Sequence, residues 1–457
     1  MTSGSPARLI LSFALPLMLG NVLQQGYMLV DAAIVGRLLG MNALAGVGAS
    51  SSVLFLILGF SIGTTGGFGI PVAQRFGARD AEGVRSLFRH SLLAGGVIAA
   101  AMSLVCCLFC RSILRWMDTP QEIMHEAWLY LFVTFLTIPC NLFYNLEASV
   151  IRALGNSKTP FFYMLLSAVL NIIFDVLFIA VFRMNTDGAA WATALSQLIC
   201  IVLCWRYMRE RLPILWSEAP FRPQRSEVRT LLGHGVPMGL QFSITAIGSV
   251  MLQSANNALG VACATAFTAA MRIKMFFITP FENLGVAMAT YCGQNLGAAR
   301  LAGVKIDGNN RGYYFGRIHR GIRDAMGMMA VYGVATMLLL WRGARDIAML
   351  FIPAVETGLL NRAELFLHCS CVCYLFLGTL VIYRYSLQGL GYTRLAMFSG
   401  VSELLARVGI SLWIVPLWGF LGVSIGDPSA WVAADCFLLP AFYIVMRRLQ
   451  RKNKAGD

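Results

Sequence analysis

Asp31 and Asp175 are the residues of this chain best placed to do chemistry. Each sits inside a long apolar run, where an ionised group costs at least about 2.5–3.5 kcal/mol and needs a reason. Asn171 precedes Asp175 by one helical turn, so a helix presents both on one face. Tyr130, Asn145 and Thr193, from neighbouring apolar runs, offer further oxygens to the same interior. Two carboxylates with amide and hydroxyl oxygens suit a hard monovalent cation such as Na+, or a proton relay. A blander reading is also physical: Asp31 hydrated near an outer interface, and Asp175 satisfied by Asn171.

A second set of charges lies in the later apolar runs: Arg272, Lys274 and Glu282, then Glu403 with Arg407. Glu403 and Arg407 have the spacing of a neutralised helical pair. Arg272 and Lys274 fall near the outer third of their run, where long basic side chains snorkel. Glu282 lies deeper. Glu282, Lys274 and Arg407 are therefore the candidates for lining a substrate cavity.

These residues need helices that cross a lipid bilayer. Hydrophobic residues make up 58% of the 457 and charged ones only 13%, against about 25% in soluble domains. A span takes about 20 apolar residues. Such runs are predicted near 9–36, 47–71, 89–110, 127–149, 161–182, 189–208, 231–258, 264–291, 325–341, 366–388, 395–417 and 421–446. The fold class is an all-α integral membrane protein of about twelve transmembrane helices.

The net charge of +14 does not point to nucleic acid. The basic residues cluster in short segments between apolar runs, which is how cytoplasmic membrane loops read. One side carries Arg75, Arg79, Arg85 and Arg89, the segment from Arg206 to Arg229, Arg384 and Arg394, and the tail from Arg447 to Lys454. The other carries few, among them Arg37, Arg183 and Arg342. Both termini are predicted to be cytoplasmic. The first helix has no small-residue cleavage site and is expected to be retained.

The chain repeats itself. Pro16 pairs with Pro237, AQRFGA at 73–78 with GQNLGA at 293–298, and LGNSK at 154–158 with LGYTR at 390–394. The halves are parallel repeats of six spans, related by an axis along the membrane normal. The expected division is an N-terminal six-helix lobe at 1–208, a cytoplasmic linker at 209–230, a C-terminal six-helix lobe at 231–446 and a basic tail at 447–457. The second half carries an extra stretch at 301–316, rich in Gly and Asn, which reads as a flexible cytoplasmic loop. Leu252, Arg407 and Ser411 stand where the first half has Asp31, Asn171 and Asp175. The acidic set therefore belongs to one half only, as an asymmetric task would require.

Some classes are excluded by missing residues. There is no GxxxxGK[ST] phosphate loop or HExxH, so an enzyme reading lacks its constellation. The cysteines lie mostly inside apolar runs, as in Cys369, Cys371 and Cys373, and read as small packing residues, not metal ligands.

ALPLMLGNVLQQGYMLVDAAIVGRLLG at the start, then GFGIPVAQRFGA, IRALGNSKTP and YCGQNLGAAR, resemble the multidrug and toxic compound extrusion (MATE) family, along nearly the whole chain and in order. The resemblance implies two pseudo-symmetric six-helix lobes around a central cavity. It implies antiport, in which inward Na+ or H+ flow drives efflux of cationic or amphiphilic small molecules from a bacterial plasma membrane. In DinF-like members the coupling site lies in the first lobe, and its residues match Asp31, Tyr130, Asn145, Asn171, Asp175 and Thr193. Another branch uses carboxylates in helices 7 and 10; here span 7 has none, and Glu364 lies at the edge of span 10. The expected partners are small-molecule substrates and lipid, with no nucleic acid, no cofactor beyond the coupling ion, and a monomeric state. Lipid-linked precursor flippase of the wider superfamily is the alternative; a channel is a more distant one.

Overall fold

The computed structural model describes residues 1–117, 119–216, 220–305 and 309–454. Among them the chain forms fifteen α-helices. These are α1 (Pro6–Leu38), α2 (Met41–Gly77), α3 (Ala81–Trp116), α4 (Gln121–Leu136), α5 (Ile138–Ala153), α6 (Lys158–Asp175), α7 (Thr186–Arg211) and α8 (Arg225–Asn257). There follow α9 (Val261–Lys305), α10 (Asn309–Ala348), α11 (Thr357–Val372), α12 (Tyr374–Gly389), α13 (Thr393–Gly409), α14 (Val415–Trp418) and α15 (Phe420–Lys454). Ten stretches are individually long and apolar enough to cross a membrane. Two bent pairs, α4–α5 at 46° and α11–α12 at 51°, bring the number to twelve when each pair is counted as one broken span.

The bends fall at matching places in the repeat, Thr137 and Cys373. Thr137 turns its hydroxyl back onto the Val133 carbonyl at 2.9 Å, and Pro139 follows, so one backbone donor is missing there. The repeat also shows after α6 and α13. Each continues into a π-helical turn, Val176–Val181 and Ile410–Ile414. Such turns are rare and concentrate at functional sites.

Contacts divide the chain into two compact units: 15–239, and 1–14 with 240–457. This differs from a boundary at 208–231, because both repeat-initial helices change unit partway along. The start of α8 packs within the first unit. Gly235 lies so close to Phe68 that a Cβ there would approach a ring carbon to 2.5 Å, and Glu227 is 3.9 Å from Arg75. Arg85 and His90 hold the preceding linker through the Ile214 carbonyl and the Gln224 amide. In the second unit, buried Arg317 donates to the carbonyls of Gly4 (2.8 Å) and Met1 (3.2 Å) and to Asn295 Oδ1 (3.1 Å). Asn295 belongs to the GQNLGA repeat, so that motif seats the N-terminal residues.

The stretch at 301–316 is not the loop its composition suggests. α9 runs on to Lys305 and α10 begins at Asn309, so the described part is helical; residues 306–308 of that expected insertion lie outside the described residues. The three glycines of the described part, Gly303, Gly312 and Gly316, are outweighed by continuation of two long helices that are already nucleated. Residues 455–457 of the expected basic tail also lie outside the described residues.

The first unit packs around Phe68, Phe88, Leu146 and Ile151, with Trp205 and Trp216 stacked edge-on beside Phe88. Large apolar side chains such as Phe109, Leu108, Val331 and Trp413 stay exposed, as helices solvated by lipid require.

Candidate functional site

The first unit brings four of the six expected coupling residues together. Asn171 and Asp175 lie on one face of α6, 2% and 0% exposed. Asn171 Nδ2 donates to Thr193 Oγ1 on α7 at 3.2 Å, and Thr193 in turn donates to the Ala189 carbonyl at 3.1 Å. Asp175 is the last residue of α6 before the π-helical turn. Asp31, half-buried on α1, has its carboxyl within hydrogen-bonding reach of the Asp175 carboxyl. Val35, Ala43, Ile179 and Ala189 form an apolar cluster beside the site, and Tyr130 packs against it. Tyr130 and Tyr27 both stand close enough to feel the charge of the two aspartates. Tyr27 was not anticipated, although it lies one turn before Asp31.

Asn145 is placed differently. Its Nδ2 donates to the carbonyl of Asn141 at 2.8 Å, one turn back on α5. No hydrogen bond among the described residues joins it to the aspartates.

The acceptors at this site outnumber the donors. Asp31 Oδ1, both Asp175 oxygens and Asn171 Oδ1 are buried with no hydrogen-bond donor among the described residues. Two carboxyls in contact at membrane depth repel unless a proton or a cation lies between them. The donor set is all oxygen, which fits a hard cation or a proton and not a soft metal.

The second unit holds an ion network that sequence reasoning caught only in part. Lys274 is buried at 2% exposure and pairs with Asp427 on α15, so it does not snorkel. Its counter-charge lies in the protein, and pairing there avoids the cost of reaching out along lipid. Arg407 donates from Nε to the other Asp427 oxygen at 2.8 Å. The expected Glu403–Arg407 pair is present at 3.4 Å, but Glu403 also pairs with Arg384. Arg384 therefore does not belong to a loop; it is buried in α12, where Ser399 accepts from its Nε at 3.0 Å. Of the three residues expected to line a substrate cavity, Lys274 and Arg407 meet at Asp427, whereas Glu282 is exposed on α9. Arg272 is exposed as well.

Asp427 and Asp435, both on α15, were not among the expected residues. The available signal was electrostatic: Lys274 and Arg407 needed acids, and the last span held two.

A twelve-span, two-unit helical architecture with an oxygen-rich ionisable site in its first half defines a multi-pass membrane transporter. The MatE family profile matches residues 16–177 and the profile described as lipid II flippase MurJ matches 131–253. The probable multidrug resistance protein YoeA of Bacillus subtilis is 25% identical over 96% of this chain and 94% of its own length. YpnP of the same organism, also a probable multidrug resistance protein, is 30% identical over 65% of this chain and 66% of its own. The outward-facing structure of a multidrug resistance MATE family transporter of the MOP superfamily superposes with a TM-score of 0.87 at 23% identity, covering 98% of this chain and 97% of that one. The chain belongs to the multidrug and toxic compound extrusion family.

Proposed function

We propose that this transporter is a cation-coupled antiporter that exports cationic or amphiphilic small molecules, driven by inward flow of Na+ or H+ through the Asp31–Asp175 site. One observation carries the reading: four buried acceptor oxygens on Asp31, Asp175 and Asn171 have no donor among the described residues. Such a site binds a positive species and is costly when empty. Coupling follows if the driving ion and the substrate favour different conformations, since a ligand shifts an equilibrium only by its differential affinity. The names of the relatives YoeA and YpnP support drug export. The loop charge bias supports a plasma-membrane protein with both termini cytoplasmic, and the reading takes it as a monomer.

A second reading, transport of a lipid-linked anion, draws on the flippase profile match. It would need buried cations free to meet phosphate. Lys274 is instead committed to Asp427, Arg384 to Glu403 and Arg407 to both acids, with only its Nη1 left without a partner among the described residues, which favours the first reading.

Proteoliposomes test the proposal. Efflux of a fluorescent cation is measured under an imposed Na+ gradient, then under a pH gradient, beside equilibrium binding of the same cation. Asp31→Asn and Asp175→Asn should each abolish gradient-driven efflux and leave binding in place, because Asn keeps the shape but cannot neutralise a cation or titrate. Parental pumping by both variants would refute first-half coupling.

A further inference from the structure

Asp435 belongs to neither the first-half site nor the ion pairs of Lys274, Arg384 and Arg407. It lies on α15 two helical turns beyond Asp427 and on the same face. It is 4% exposed, and neither carboxyl oxygen has a hydrogen-bond donor among the described residues. α12 and α13 both pack against α15. From α12 come Arg384 and Tyr383, and from α13 comes Glu403, all near enough to interact with the Asp435 charge. α11, α14 and the turn at 410–414 also pack on α15 but bring no titratable group that reaches it. Asp427 and Arg407 are the next members of the same network, and Glu282 on α9 feels Arg384 and Glu403.

Charge counting makes this acid distinctive. Lys274, Arg384 and Arg407 are linked through only two acids, Glu403 and Asp427. An ionised Asp435 would neutralise the surplus. Yet Arg384 is turned to Glu403 and Ser399, leaving Asp435 without a partner. An ionised carboxylate that is buried and unpaired loses its hydration for nothing, so this arrangement is that of the neutral acid. Na+ is a poor alternative occupant, because the Arg384 guanidinium, whose charge reaches this site, repels it, whereas a proton leaves the acid uncharged.

We infer that Asp435 is a proton-binding site of the second half, holding its proton while Arg384 is engaged by Glu403 and drawing Arg384 from α13 towards α15 when the proton passes to water. The site is separate from the Asp31–Asp175 pair, and each half would then carry one ionisable centre. Proton binding here does not depend on the proposed antiport; only its use in transport rests on that reading.

Infrared pH-difference spectroscopy reads it directly. The full chain is prepared in lipid nanodiscs with carboxyl-13C aspartate, in an Asp31→Asn/Asp175→Asn background that removes the first-half pair. A labelled carboxylic-acid C=O band should be lost as pH is raised. Adding Asp435→Asn should abolish that band. Should this variant not fold, Asp435→Glu serves, because the acid remains and the labelled band must give way to an unlabelled one. A band that survives either substitution, or a background with no titrating labelled acid, overturns the inference. Failure of the first-half proposal would show separately, as parental efflux by Asp31→Asn and Asp175→Asn.

Discussion

Replacing Asp427 should cost far more than replacing its partner Lys274, although both changes remove the same ion pair. Asp427 is the shared counter-charge of Lys274 and Arg407, and all three are at most 6% exposed. Asp427→Asn strands Lys274 and leaves Arg407 with only Glu403, which Arg384 already shares. Removing one partner of a buried pair costs about 3–5 kcal/mol, and a counter-charge lost by two cations at once puts this variant at the upper end. Lys274→Met leaves two cations facing two acids, keeps the Arg407–Asp427 bond at 2.8 Å, and puts an unbranched apolar chain against Phe366. That variant should lie within about 1–2 kcal/mol of the parent, since apolar replacement of buried charge is often nearly neutral. Unfolding of the purified protein in mixed micelles of rising dodecyl sulfate content measures both. The buried thiols Cys263 and Cys371 report it through their reactivity. Equal losses for the two variants would refute charge balance as the principle of this network and leave packing as its basis.

Thr193→Val removes the acceptor of Asn171 Nδ2 and should weaken driving-ion binding by about 1 kcal/mol, near five-fold, without abolishing efflux. Gly389→Ala places a Cβ 2.3 Å from the Ala289 carbonyl oxygen and should destabilise by about 1–3 kcal/mol in the same micelle assay. Gly327→Ala, with nothing within 4 Å, should be neutral or stabilising by up to about 1 kcal/mol. Arg317→Ala removes the bonds to Met1, Gly4 and Asn295, and hydrogen exchange of residues 1–5 should accelerate while that of α12 does not change. A single cysteine at Asn309, in a background without accessible thiols, should resist an impermeant reagent added to intact cells if the basic side is cytoplasmic.

The number and order of the spans were legible because lipid demands long apolar runs and tolerates little else. The same demand made Asp31, Asn171 and Asp175 conspicuous, since each polar residue at that depth is an exception. What the runs could not convey was pairing. Lys274 and Asp427 lie on spans far apart in the chain, and hydropathy alone makes Lys274 resemble a snorkelling residue. Arg384 was misplaced because a basic residue near the end of a run looks the same whether it leaves the membrane or turns inward to Glu403. Asn145 shares the neighbourhood of the site by sequence, but its side chain turns back on its own helix, a choice of rotamer that no pattern records. The 301–316 stretch illustrates the weakness of composition: glycines lower helix propensity by about 1 kcal/mol each, and helices already under way absorb that.

The ion network also constrains how the chain is made. Lys274 and Asp427 are separated by 153 residues, and Asp427 lies on the final span. At about 5–20 residues per second, the ribosome delivers the partner some 8–30 s after the lysine. Through that interval α9 holds an uncompensated cation, and Arg407 follows on α13 with only Glu403 to answer it. Chains truncated before α15 therefore never complete the second half, and nascent molecules halted there present quality-control proteases with an ammonium that has nowhere in the bilayer to go.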